Sequence, residues 1–170
     1  MKNIFNIIGF QLSWWACVLG VKNGQPYLGP ICMIIFIGIH FFYFKANILE
    51  LRLISIFAVL GTLADTLMAY SGILSYEGLY FQNILIAPLW ITAMWCGFCA
   101  TINHSLGWLK DKWIASFLLG AVFGPLSYIA GEKFNAISFH TSVANVSIVL
   151  AFVWGFSIYL IFLINKRIGL

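Results

Sequence analysis

Charge is what this sequence has least of. Lys and Arg number nine and Asp and Glu five in 170 residues, so charged side chains make up 8%, against about 25% in soluble domains. Too little polar surface remains to face water, which excludes a soluble catalytic domain, a nucleotide-binding domain and a DNA-binding module. The basic residues are scattered singly or in pairs, so the net charge of +4 is not a nucleic-acid face. Cysteine is sparse as well. Cys17, Cys32, Cys96 and Cys99 all lie in apolar runs and do not form an extracytoplasmic disulfide framework. Cys96-x-x-Cys99 has no second pair to complete a metal or redox motif and reads as small apolar residues. Low-complexity tracts, internal repeats and interdomain linkers are all missing.

What is present is apolar. Such residues make up 62% of the chain, and mean hydropathy is +0.98. Six segments are long enough to cross a bilayer as helices, at about 20 residues each: 4–21, 27–44, 53–74, 84–109, 114–131 and 144–164. A β-barrel would instead show short alternating segments. The expected fold is therefore all-α, one polytopic domain over 1–170 with six transmembrane helices. The start, Met1-Lys2-Asn3 and an apolar run, lacks a small-residue cleavage site and holds Trp14 and Trp15, so it reads as an uncleaved first span. Lys2, Lys45, Arg52, Lys110, Lys112, Lys166 and Arg167 fall on one side of this arrangement, and Lys22 and Lys133 on the other. The positive-inside bias then places both termini in the cytoplasm. Tyr27, Tyr76, Tyr80 and Trp113 sit near span ends, as interfacial aromatics do.

Asp65 stands out, near the middle of the third span. A charge at that depth costs about 2.5–3.5 kcal/mol on insertion scales, and every Lys and Arg sits near a span end. Ala58, Gly61, Asp65, Ala69 and Gly72 share a face of small residues, which points Asp65 inward. It is a candidate binding residue for a cation or substrate; the bland alternative is an inter-helix hydrogen bond.

Three consecutive polar side chains, Asn103, His104 and Ser105, interrupt the fourth span. His104 falls about 7–8 Å from the cytoplasmic end, with His40 at similar depth and Gln11 slightly deeper. Gln11, His40, Asn103 and His104 are thus expected to form one cytoplasmic polar layer, with Asp65 roughly 18 Å from that side. In an enzyme, His104 would act as general base, with Asn103 or Ser105 orienting the substrate; interfacial helix pinning is the alternative. His140 falls on the opposite face, so the three histidines do not converge as a zinc set. No metal and no cofactor are expected.

In the fifth span, Gly120-x-x-x-Gly124 permits close helix approach. Pro125 follows, where a kink is expected, and Tyr128 beyond it is a candidate binding residue. Trp14, Trp15, Trp90, Trp95 and Trp154 fall within spans and can line a pocket for a flat or amphipathic ligand, with Trp95 the candidate contact. Ser13, Ala16 and Gly20 form a stripe on which a partner subunit can dock.

The strings 10–20 (FQLSWWACVLG), 64–67 (ADTL), 87–90 (APLW), 103–108 (NHSLGW) and 124–128 (GPLSY) resemble an uncharacterised family of small multi-span bacterial inner-membrane proteins. That family carries only a domain-of-unknown-function label. The resemblance covers nearly the whole chain. It implies a bacterial inner-membrane protein, a gene-order setting near fatty-acid-modifying enzymes, and no established activity or site. The leading expectation is a small permease or membrane-embedded substrate-binding subunit using Asp65. A lipid-modifying enzyme or its accessory, with a His104/Asn103 site, is the alternative, and a scaffold subunit the third. Expected partners are membrane lipids, a small-molecule or lipid substrate and a membrane subunit, without nucleic acid.

Overall fold

A computed structural model describes residues 2–79 and 85–170. The described residues contain six α-helices: α1 (Lys2–Lys22), α2 (Leu28–Phe44), α3 (Ile48–Tyr70), α4 (Leu89–Cys99), α5 (Trp113–Lys133) and α6 (Val143–Arg167). Two three-residue strands, β1 (Leu74–Tyr76) and β2 (Ile137–Phe139), join them, with a 3-10 turn at Gly107–Leu109. The expected Tyr80 anchor, the far end of the 75–83 loop and the first residue of the 84–109 span lie outside the described residues.

The bundle is apolar on its outside. Leu12, Ile34, Phe42, Val59, Leu67, Phe123, Ile148 and Phe156 are all exposed, a surface of the kind that calls for lipid. Helices α1, α3, α5 and α6 are each long and apolar enough to cross a membrane. At about 1.5 Å per residue, α3 extends roughly 34 Å and α4 only about 16 Å, against a hydrocarbon core of about 30 Å.

Successive helices run up and down. Lys2 Nζ lies 5.3 Å from the Tyr43 ring centroid, which puts the start of α1 beside the end of α2. Lys110 Nζ donates to the Leu170 carbonyl at 3.1 Å, and Lys166 Nζ lies 3.6 Å from Asp111 Oδ1. Both termini and seven of the nine basic residues therefore collect at one end of the bundle, here the basic end. Lys22 and Lys133 close helices at the other.

Four of the six expected segments coincide closely in extent with helices, and the bounds of the other two require correction. The third helix starts at Ile48 because Asn47 caps it, its Oδ1 accepting from the Leu49 and Glu50 backbone N–H groups. It ends at Tyr70, and Gly72 turns the chain at φ +71°. Asp65 is thus five residues, about 7–8 Å, from the far end of α3 and not at mid-span. The fourth span is not one helix through 109. It stops at Cys99, and residues 100–106 form turns.

Polar side chains support that break. Thr101 Oγ1 donates to the Phe98 carbonyl, and the His104 and Leu106 N–H groups both bond the Thr101 carbonyl. Non-helical backbone at membrane depth is tolerated only where protein surrounds it. The segment meets that condition: α4 is the central helix, packed against α1, α2 and α3, and residues 99–102 are all buried.

The sheet is a second departure from a purely helical fold. β1 and β2 pair antiparallel with Leu74 opposite Phe139 and Tyr76 opposite Ile137. This short ladder covers the end remote from the termini and turns Leu74 and Tyr76 inward. α5 runs through Pro125 to Lys133, so the proline does not end the helix.

Candidate functional site

Three features follow one another from the sheet end to the basic end: a carboxylate held by aromatic donors, an aromatic cavity, and a histidine–glutamate cluster. Asp65 is fully buried. Its Oδ1 accepts from the Tyr76 and Tyr128 hydroxyls, and its Oδ2 accepts from Trp95 Nε1 at 2.7 Å. A buried carboxylate without a cation is costly unless hydrogen bonds replace its water, and three neutral donors do so here. β1 supplies Tyr76, α4 supplies Trp95 and α5 supplies Tyr128, so Asp65 ties three elements to α3. Gly61 makes the Trp95 contact possible, because a Cβ there would lie 2.1 Å from the indole. The Thr62–Thr92 hydroxyl pair at 2.6 Å and the Ala87 N–H bond to Thr66 Oγ1 at 3.0 Å join the same two chain segments.

Beside this post lies a cavity of about 400 Å³ between α1, α4, α5 and α6. All five tryptophans of the spans line it: Trp14, Trp15, Trp90, Trp95 and Trp154. Trp95 and Trp154 stack with ring centroids 4.4 Å apart and planes at 3°. The glycine pair in α5 brings Trp154 in. A Cβ at Gly120 would lie 2.4 Å from the Trp154 carbonyl oxygen, and one at Gly124 2.4 Å from its Cβ. Tyr128 and Gln11 are also in the wall, whereas Asp65 is not. Gln11 of α1 and Phe123 and Leu126 of α5 are exposed members of the cavity lining. Gln11 is nine residues into α1, about 14 Å along it. Trp154 Nε1 is buried near the Tyr128 hydroxyl but lacks hydrogen-bond geometry to any described group.

The third feature lies at the basic end. Glu50 Oε2 is 3.2 Å from His40 Nε2 and 3.0 Å from His104 Nε2. The three-residue α2–α3 connection brings Glu50 back beside His40, with Lys45 in left-handed backbone at φ 55°. The unwound segment after α4 delivers His104. Asn6 of α1 braces that segment: its Nδ2 donates to the Ala100 carbonyl at 3.1 Å, and its Oδ1 accepts from Ser105 Oγ at 2.6 Å. Asn103 pairs reciprocally with Asn165 of α6, at 3.0 and 2.7 Å.

The expected polar layer therefore exists with altered membership. His40, Asn103, His104 and Ser105 belong to it. Gln11 does not; Asn6, more than one helical turn earlier in α1, takes that place because it faces α4 while Gln11 lines the cavity. His140 is remote, 3.0 Å from Ser75 Oγ beside the sheet. The stripe of Ser13, Ala16 and Gly20 is not a free docking face. Ser13 Oγ reaches the Cys32 carbonyl, and Gly20 abuts the Gln25 carbonyl oxygen.

Sequence reasoning missed Glu50, Asn6, Asn165 and Tyr76. Glu50 sits between Lys45 and Arg52 and looks like a loop-end charge; only its place in the first turn of a capped helix signals otherwise. Asn6 is the earliest polar residue inside the first span, a signal that was readable.

No curated protein and no solved structure gives a match to this chain. A family model does, over residues 3–160. With nearly its whole length matched, the chain belongs to the family described as protein of unknown function DUF2878.

Proposed function

We propose that this is a membrane-embedded binding protein for a flat, largely apolar amphiphile that enters sideways from the bilayer. The tryptophan-lined cavity carries this reading. Its volume lies within the range of about 300–1,000 Å³ usual for small-molecule pockets, and such pockets are mainly apolar with a few oriented polar groups. Here those groups are Gln11, Ser127 and the Trp154 N–H. Indole faces favour a ring or conjugated segment over a flexible chain, through offset and edge contacts worth about 0.5–1.5 kcal/mol per pair. Asp65 acts in this reading as the post that fixes Trp95 and Tyr128, and not as the group that touches the guest.

The topology proposed with it has six crossings, of which α2 and the interrupted α4 are the short ones. Both termini lie in the cytoplasm of a bacterial cell, and the protein resides in its inner membrane. The separation of seven basic residues from two at opposite ends supports this orientation.

The test is to isolate the full chain in native-membrane nanodiscs and compare its extractable small molecules with those of bulk membrane. Ala130 lines the cavity, so Ala130→Phe fills it. One amphiphile enriched with the wild type and absent from Ala130→Phe is the expected result. The same unenriched profile from both proteins refutes the reading.

A second reading, a lipid-modifying enzyme or its accessory, is favoured by one observation. Phe10 and Phe98 of the cavity wall, 6.2 Å apart by ring centroid, stand about one helical turn from Asn6 and two residues from Ala100 of the polar cluster, respectively. A head group held at the basic end of the cavity would then lie close to His104.

A further inference from the structure

We propose that His40, Glu50 and His104 form a binding site for a first-row divalent cation, zinc or ferrous iron. The inference is independent of what the cavity binds. Two imidazole Nε2 atoms and one carboxylate oxygen converge, all within 4.8 Å of one another. The two nitrogen–oxygen separations, 3.2 and 3.0 Å, match the edges of a metal polyhedron. Ligand atoms about 2.0–2.2 Å from zinc stand roughly 3.3 Å apart at a tetrahedral angle. Two histidines with one carboxylate suit zinc, and they also form the facial set that holds ferrous iron.

Placement favours a site over a chance contact. The ligands come from α2, the first turn of α3 and the unwound segment after α4, and each is held by local structure. The His40 side chain is 0% exposed, with Glu50 at 13% and His104 at 15%. The Phe44 ring packs against both imidazoles, with centroids at 4.9 and 4.3 Å. Three protein ligands leave a coordination position open, as in zinc sites that hold water or substrate. The two partly exposed ligands put that position within reach of solvent at the basic end.

Asn6 sets a condition on loading. Its amide orientation is fixed by the Ala100 carbonyl and by the Ser105 N–H, so Nδ2 faces His40 Nδ1 at 3.4 Å. Without metal, His40 therefore carries its proton on Nε2 and donates it to Glu50. Ligation through Nε2 displaces that proton; moving it to Nδ1 requires the Asn6 amide to turn over and give up its bonds to Ala100 and Ser105.

The full chain, purified without chelator, is dialysed against micromolar zinc, ferrous iron under anaerobic conditions, or cobalt(II). Bound metal is then counted by mass spectrometry. Wild type is expected to retain close to one ion per chain and to give visible cobalt absorption. Glu50→Gln keeps size and shape and is expected to lose affinity by at least about tenfold; His104→Ala is expected to lose the ion. His140→Ala, at the remote exposed histidine, is expected to retain it. Tryptophan fluorescence establishes folding of each variant, and Glu50→Gln serves should His104→Ala misfold. No retained ion in folded wild type overturns the site and leaves a hydrogen-bonded His–Glu–His trio. Equal retention by Glu50→Gln overturns it as well.

Discussion

Replacing Asp65 by Asn separates a structural post from a ligand-binding charge. Three donors converge on the carboxylate, two on Oδ1 and one on Oδ2. An Asn side chain is nearly isosteric but has only one acceptor atom. If that oxygen takes the two phenols, the amide N–H groups confront the Trp95 N–H 2.7 Å away. If it takes Trp95, both phenols must find new acceptors in a buried site. Either arrangement loses a hydrogen bond and strands a buried donor, which costs about 1–3 kcal/mol for the stranded group. The whole change is worth about 2–4 kcal/mol, and Asp65→Leu, which strands all three donors, costs more. The assay is reversible unfolding in mixed micelles, followed by tryptophan fluorescence, with Tyr128→Phe and the double variant completing a cycle. In the arrangement that gives the Asn oxygen to Trp95, both changes remove the Tyr128 bond, and the double variant is then expected to be less destabilised than the sum of the singles, with coupling of about 0.5–3 kcal/mol. Asp65→Asn stability within about 0.5 kcal/mol of wild type, the range of an ordinary surface change, refutes the post.

The glycines give a paired prediction. Gly120→Ala drives a Cβ to 2.4 Å from the Trp154 backbone oxygen, which cannot swing aside, so it should destabilise by about 1–3 kcal/mol. Gly38→Ala meets nothing within 4 Å and should stabilise α2 by about 0.5–1 kcal/mol; the same unfolding assay reads both. Asn6→Leu leaves the Ser105 and Ala100 groups without their partner and should cost about 2–4 kcal/mol. Hydrogen exchange at residues 100–106 should rise in that variant before it rises elsewhere. For topology, cysteines placed at Lys112 and Lys166 should react with an impermeant thiol reagent only from the cytoplasmic face, and one at Glu132 only from the opposite face. Labelling of all three from one side would refute the six-crossing arrangement.

The sequence by itself determined the solvent, the class and the up-and-down path. Scarce charge and long apolar runs leave no alternative to helices in lipid, because a lipid-exposed backbone must satisfy its hydrogen bonds within the segment. The basic residues sorted themselves to one end for the same local reason: each lies at a span end, and alternating spans fix which ends meet. The five tryptophans were legible as pocket candidates, and Asp65 as an inward residue, because cost and helical spacing are properties of a single segment.

Tertiary structure decided what single segments do not contain. The partners of Asp65 are not legible in its own segment because its donors come from a strand, a central helix and α5, distant in sequence and joined only by packing. The strand pair escaped notice because three-residue strands 63 residues apart carry no periodic signal. The fourth span reads as one continuous helix, since Ala100 and Ile102 are apolar. It ends at Cys99 because Asn6 and Asn165, on other helices, supply partners for an unwound backbone and its side chains. That same break carries His104 to Glu50, so the cluster most suited to chemistry exists only once three segments have packed.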